Sequence, residues 1–279
     1  RDISYSYDQA NTDATATDET YNAGIGRLTA LTDNSGSTSF RYGDRGNLIE
    51  DSRTINNLSG QNQNFSTGYQ YDLADNLIGI TYPDSTQMNY TRNALGEIIG
   101  ITATLPGQSP QTLASNISYQ PFGGVKALTW GNGLTMNRTF DQDYRINNQT
   151  VSQNIQSLNY QYGPVSNLIA IYDSVDNANT GDYEYDLINR LIQESKADYS
   201  ESFSYDEVGN RTEKIHTDLS TSTINTETHS YGDSSNLLTS KNGTTQSYDE
   251  VGNIINNGTY GFNYDVANRM EAVTQSSTT

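Results

Sequence analysis

The stretch YDEVGNR, residues 205–211, returns almost unchanged as YDEVGNI at 248–254. Looser copies are YDLADNL (71–77), YDLINRL (185–191) and YDVANRM (264–270). More worn copies are YGDRGNL (42–48), YGPVSNL (162–168) and YGDSSNL (231–237). Counting the tyrosine as position 0, Asp is common at +1. Gly, Asn, Asp or Ser stands at +4, Asn or Arg at +5, and an apolar residue usually at +6.

This spacing reads as a bend. Asp206, Glu207, Val208 and Gly209 suit the four corners of a type I turn, because the Asp206 carboxylate can accept from the turn's own N–H groups. Gly209 suits the fourth corner, where a left-handed residue returns the chain to the partner strand through a G1 bulge. Asp75, Asn189 and Asn268 fall at the same place, and Asp and Asn tolerate that conformation better than most residues. Tyr205 then ends one strand, and the +6 residue begins the next on the same face. Each copy is predicted to be a β-hairpin corner with a side-chain clasp across it.

Further copies lie between these. TRNALGEI carries Arg92 in place of the tyrosine, with Gly96 at +4 and Ile98 at +6. YQPFGGV (119–125) puts Gly123 at +4, and FDQDYRI (140–146) puts Phe for Tyr. Gly26-Arg27-Leu28 matches +4 to +6 with the tyrosine lost. Starts recur about every 20 residues, enough for two strands of roughly 6–8 residues and two turns. No stretch shows sustained helical periodicity. Asn132-Gly133 marks a tight hairpin, and 105–110 (LPGQSP) reads as a loop. The polar stretches 11–20 and 56–67 read as a loop and a longer excursion from the sheet. No domain boundary is evident, so residues 1–279 are expected to form one continuous array. Arg1 and the uncapped end suggest an internal piece of a longer chain.

The 279-residue chain carries 15 basic and 33 acidic side chains, a formal charge of −18, which argues against binding a phosphate backbone. It has no cysteine, so neither a disulfide framework nor a thiolate metal site is available. No apolar run reaches membrane-spanning length. Leu, Ile, Val and Phe are scarce, but 21 tyrosines and many threonines supply strand formers. The expected fold is all-β: a long, thin, curved antiparallel sheet of repeated β-hairpins, wet on at least one face.

The Tyr-Asp repeats, together with WGNGLT at 130–135 and GIGRLTALTD at 24–33, resemble the RHS/YD-repeat family. That family includes bacterial Rhs polymorphic toxins, the C components of Tc insecticidal toxins and the teneurins. The resemblance spans essentially the whole chain. It implies a YD-repeat shell, or an open part of one, built by coiling a ribbon of hairpins. In the bacterial toxins such a shell encloses a variable C-terminal toxic domain. The family's closing segment carries DPxG motifs whose aspartates perform self-cleavage. This sequence has no such string, and Pro83-Asp84 is the reverse order, so neither the cleavage activity nor a toxin domain is carried over to it. The resemblance implies a structural shell or scaffold segment, not an enzyme, in a secreted or cell-surface setting. The implied partners are an encapsulated effector domain or neighbouring chains of the same shell. A short stretch of such a ribbon would leave unpaired strands at its two ends, to be covered by loops or by other chains.

The residues that could carry chemistry have plainer explanations. His216 and His229 would need to converge with a carboxylate such as Asp218 or Glu227 to bind a metal or catalyse. No ligand spacing supports this, and exposed strand positions account for them. Asp72, Asp186, Asp206, Asp249 and Asp265 could be read as paired acids, but one turn mechanism explains all five. Calcium-type DxDxDG spacing is absent. Trp130 and the tyrosines could form a platform for glycans, while packing between neighbouring strands is the favoured explanation. The N-x-[ST] strings follow from composition. The sequence thus names no catalytic residue, no metal ligand and no cofactor, and Trp130 is its one candidate for carbohydrate binding.

Overall fold

QMNYTR at Gln87–Arg92 alternates exposed and half-buried along its length, the period of a strand with one face covered. Most of the chain follows that logic. The structure, a computed structural model, describes residues 3–8, 24–58, 60–233, 235–265 and 268–275. The 11–20 loop lies outside the described residues.

The chain divides into two compact units, Arg1–Asn137 and Arg138–Thr279. The first holds β1 (Ser4–Tyr7), β2 (Leu28–Asp33), β3 (Gly36–Tyr42), β4 (Leu48–Leu58), β5 (Gln61–Tyr71) and β6 (Leu77–Thr81). It continues with β7 (Gln87–Arg92), β8 (Ile98–Thr104), β9 (Gln111–Tyr119), β10 (Val125–Trp130) and the start of β11 (Thr135–Phe140). Each strand pairs antiparallel with the next.

The second unit repeats the meander. It runs through β12 (Ile146–Val151), β13 (Gln156–Tyr162), β14 (Leu168–Asp173), β15 (Gly181–Tyr185), β16 (Leu191–Lys196) and β17 (Tyr199–Tyr205). Then come β18 (Arg211–Asp218), β19 (Thr223–Tyr231), β20 (Leu238–Lys241) and β21 (Thr244–Thr245). A four-stranded sheet follows: β22 (Ser247–Tyr248), β23 (Ile254–Asn256), β24 (Tyr260–Tyr264) and β25 (Met270–Gln275). One short 3-10 turn, Asn177–Asn179, sits between β14 and β15. The all-β reading, an antiparallel sheet of repeated hairpins, therefore holds in both units.

The 56–67 stretch departs from expectation. It is not an excursion of irregular chain: β4 and β5 run on through it, with Ile55 opposite Gln63 and Leu58 opposite Gln61. Polar side chains do not prevent pairing when they bond across the ladder, as Ser52 does with Ser66 at 2.8 Å and Asn64 at 2.7 Å. The 105–110 loop is a turn, its Gln108 N–H donating to Leu105 O at 3.0 Å.

The core is thin, as the composition predicted. Among the described residues the buried apolar side chains are Ala103, Ala114, Ile117, Met136, Leu158 and Ala170, and no large side chain is wholly enclosed. Stability must come mainly from ladders and half-buried cross-strand pairs.

Because the strands form a meander, turns alternate between two edges of each sheet. The repeat corners occupy one edge. The connections between them, such as 33–36 and 130–133, occupy the other, called here the far edge.

Candidate functional site

At the 205–211 corner the Gly209 N–H donates to Asp206 O at 3.2 Å, closing the turn, and the Asp206 N–H donates to Asn210 O at 2.9 Å. Asp206 Oδ1 accepts from the N–H groups of Val208 (3.1 Å) and Asn210 (2.8 Å), and Oδ2 from Asn210 Nδ2 (2.9 Å). The same bonds recur around Asp249. Asp72, Asp141 and Asp186 likewise accept from the +3 and +5 N–H groups, while Asp265 accepts from Arg269. The +4 residue is left-handed: φ is 95° at Gly209, 90° at Gly252, 63° at Asp75, 66° at Asn189 and 57° at Asn268. Position 0 stands directly opposite +6 across a bulge, as in Tyr205 with Arg211, Tyr71 with Leu77 and Tyr185 with Leu191.

A second feature escaped the sequence reading: the corners are tied to one another. The hydroxyl of Tyr205 donates to Leu191 O at 2.7 Å, the first strand residue after the preceding corner. Tyr42, Tyr119, Tyr162, Tyr185, Tyr231 and Tyr248 do the same to Leu28, Ile98, Ile146, Leu168, Arg211 and Leu238, at 2.8–2.9 Å. Arg92, at the tyrosine's place, substitutes for the phenol: its Nε and Nη2 donate to Leu77 O at 3.0 and 2.8 Å.

Position +5 forms the other tie. Arg145 and Arg190 each pair with the aspartate of their own corner at 2.6 Å. Each also lies over the ring of the next corner's tyrosine, Tyr162 or Tyr205, at 4.7 Å from the centroid. Asn47 and Asn167 donate instead to the next +4 side chains, Asp75 at 2.6 Å and Asn189 at 2.9 Å. The frequency of Asn and Arg at +5 was the visible trace of this job, since both carry side-chain donors that can reach a neighbouring corner.

Two copies deviate. At 119–125 the left-handed residue is Phe122 (φ 56°), not Gly123. Pro121 at the second corner of the turn favours a type II form, whose third corner needs positive φ. At 231–237 the bulge holds one residue more: Gly232 N–H reaches Leu237 O at 3.1 Å and Tyr231 stands opposite Leu238.

The two histidines stay apart. His216 bonds Glu201 through Nδ1 at 3.0 Å and packs against Tyr199, with ring centroids 5.2 Å apart. Asp218 is not its partner; it caps the next turn, accepting from Ser220 and Thr221. The Ser220 hydroxyl and Thr221 N–H hold its pKa down at about 2. His229 Nε2 lies 3.1 Å from Glu227, which also pairs with Lys241 at 2.6 Å. The His229 side chain is nearly buried, and burial pushes its pKa below the usual value. It lines an open cleft of about 620 Å³ together with Asp206, Asn210 and Tyr231. Trp130 is half-buried and opens the far-edge turn 130–133, accepting from the Gly133 N–H at 2.9 Å. The Asn132-Gly133 hairpin stands where expected, with Gly133 at φ 84°.

These contacts settle what the corner aspartates can do chemically. The Asn76 amide and N–H hold Asp72 below the usual carboxylate range. Desolvation opposes this at Asp206 and Asp249, but donors from Asn210 and Asn253 outweigh it. A carboxylate saturated by its own turn is a poor proton donor and has few lone pairs to spare for a ligand. Among the described residues no three His, Asp or Glu side chains gather as a metal would need.

No family model and no curated protein matches the chain. Solved structures do. A crystal structure of TcdB2-TccC3-Cdc42 superposes with a TM-score of 0.79 at 15% identity, over 99% of this chain and 16% of the other. A Tc holotoxin pore of Photorhabdus luminescens gives 0.78 at 16% identity over 99% and 16%. A crystal structure of TcdB2-TccC3 gives 0.77 at 17% identity over 98% and 16%. The chain thus spans about one sixth of the chains it resembles. At the level of fold, the resemblance drawn from the repeats to the RHS/YD-repeat shell is borne out.

Proposed function

We propose that this chain is a stretch of wall in a toxin-related shell, a scaffold with no chemistry of its own. The observation that carries this reading is the corner column. The polar groups that recur with the repeat are engaged in turns and in ties between neighbouring corners, so the repeated residues serve continuity of the sheet. Its fold likeness to TcdB2-TccC3 chains supports the same reading. In this proposal residues 1–279 act as one continuous array in a secreted or surface protein. The wall encloses or presents an effector domain and adjoins further shell of the same kind.

Electron cryo-microscopy of the natural gene product tests it. The stretch should form part of a closed wall around a cavity; a free arm projecting into solvent would overturn the reading. A glycan-binding face around Trp130 has less behind it, because that ring is half-buried in a single turn. A glycan array with Trp130→Ala as control separates the two. Selective binding lost in the variant would favour the module, and none is expected.

A further inference from the structure

Both histidines of the chain lie in the second unit, and they differ in what covers them. The His216 side chain is 34% exposed, so water is at hand for a second proton. The His229 side chain is 6% exposed. Its Nε2 lies 3.1 Å from Glu227 Oε1, so the neutral ring carries its proton there. Nδ1 is then a bare acceptor, sealed from solvent and without a hydrogen-bond partner in the protein. A second proton would turn that atom into a charged donor with nothing to receive it, which is costly while it stays buried. The surroundings offer no relief. On β19, Glu227 and Tyr231 share its face; Glu227 is held by Lys241 at 2.6 Å, and the Tyr231 hydroxyl donates to Arg211 O. β18 contributes the cations Arg211 and Lys214, the latter paired with Glu201, and β20 places Lys241 directly opposite His229. Asp206 and Asp233 line the cleft beside it; the Asp206 carboxylate is engaged by its own turn, and neither acid bonds Nδ1. Burial pushes the His229 pKa down, Glu227 resists, and Arg211 and Lys241 push it down further.

The ladder is thin at this place. β20 spans four residues and meets β19 only where His229 faces Lys241, Ser230 faces Ser240 and Tyr231 faces Leu238. The eight-residue β18 is paired along most of its length on both sides. Short segments with few ladder bonds open first. We propose that the seam between β19 and β20 is an acid-sensitive joint, which opens preferentially when His229 takes up a second proton. Parting the strands brings Nδ1 to water, so protonation and opening favour each other. A group whose folded pKa is depressed contributes stability that is complete above its unfolded value, the ordinary 6.5 here, and is lost as pH falls below it. The window is therefore mild acid, where histidine is the side chain whose ordinary pKa puts its charge change. One pH unit below 6.5, a ring that ionises only in the open form favours opening by up to about tenfold. The joint belongs to this chain whatever the wall encloses or adjoins.

Amide exchange followed by NMR at about pH 7.5 and about pH 5.5 tests it, each rate being compared with the intrinsic rate at its own pH. Gly232 and Asn242 donate across the seam to Leu237 O and Thr228 O. Their protection should fall several-fold at the lower pH, up to about tenfold. Leu219, which donates to Asp198 O at the end of the β17–β18 pair, should keep its protection. His229→Gln, which cannot take the proton, should abolish the fall whatever it costs at both pH values. His216→Gln should retain it, with His229 then the chain's one histidine. Should His229→Gln not fold, the His216→Gln chain decides, because the fall must follow the titration of its single imidazole. A change under about twofold in the wild-type chain overturns the proposal. So does a fall that persists in His229→Gln or vanishes in His216→Gln. An equal loss at Leu219 overturns it too, since the whole sheet would then be opening rather than one seam.

Discussion

The two edges of each sheet solve the same problem in different ways. On the corner edge most turns use one recipe, and their tyrosines reach back to the preceding corner, as Tyr205 reaches Leu191. On the far edge the connections vary from the four-residue turn at 82–85 to the 3-10 turn at Asn177–Asn179. Far-edge aspartates such as Asp84 and Asp218 satisfy their own turns. The difference teaches where the fold is specified. Repetition is enforced where corners touch corners, and length is free to drift where turns stand alone.

Acid should separate the edges most strongly. Asp72, Asp186, Asp206 and Asp249 are depressed from the ordinary 3.8. A depressed carboxylate contributes stability above its unfolded pKa that is lost as pH falls through the folded one. The corner edge should therefore weaken progressively below pH 3.8. The Asp218 turn, held at about 2, should outlast it. NMR chemical shifts followed across an acid titration would show the order, and simultaneous loss would break the comparison.

Glycine substitutions come next. A Cβ at far-edge Gly36 would lie 1.8 Å from Thr54 O, and one at Gly131 would lie 2.0 Å from Thr112 O, both backbone atoms. Gly36→Ala and Gly131→Ala should each cost about 3 kcal/mol in urea unfolding, the upper range for overpacking. At corner Gly209 nothing lies within 4 Å. Gly209→Asn, the residue already used at Asn189, should change stability by less than about 0.5 kcal/mol.

The ties between corners predict smaller effects. Arg92→Leu should cost about 2 kcal/mol, because charged donors to Leu77 O are lost, and Arg92→Tyr should recover most of it. Tyr205→Phe should cost about 1 kcal/mol. Smallest of all, two glycines inserted near Asp176 should shift the unfolding midpoint hardly at all, since loop closure grows slowly with length.

Most of the corner was legible in the sequence. Asp206 and Gly209 have local jobs, and local hydrogen bonding leaves a spacing that can be read. The tyrosine's bond to the preceding corner was not legible, because its partner is a backbone carbonyl, which any residue provides. Arg92 illustrates the limit: by type it looked like a lost tyrosine, and its place beside Leu77 O showed a replacement. The 56–67 ribbon was misread for a related reason. Strand pairing needs backbone groups, so polar side chains such as Asn64 and Ser66 hide a ladder that they themselves support. The histidines and Trp130 had no repeat to explain them, and only coordinates could assign their surroundings.

Amide hydrogen exchange at the corners tests most directly whether the Asp-turn is the unit of construction. The N–H groups of Asp206, Val208, Gly209 and Asn210 should be protected like strand amides, with matching values at Asp249, Val251, Gly252 and Asn253. Asp206→Ala should release the Val208 and Asn210 amides, whose acceptor is the lost carboxylate, and spare the second set. Corner amides exchanging at the rate of an unstructured peptide, while the strands stay protected, would contradict the account.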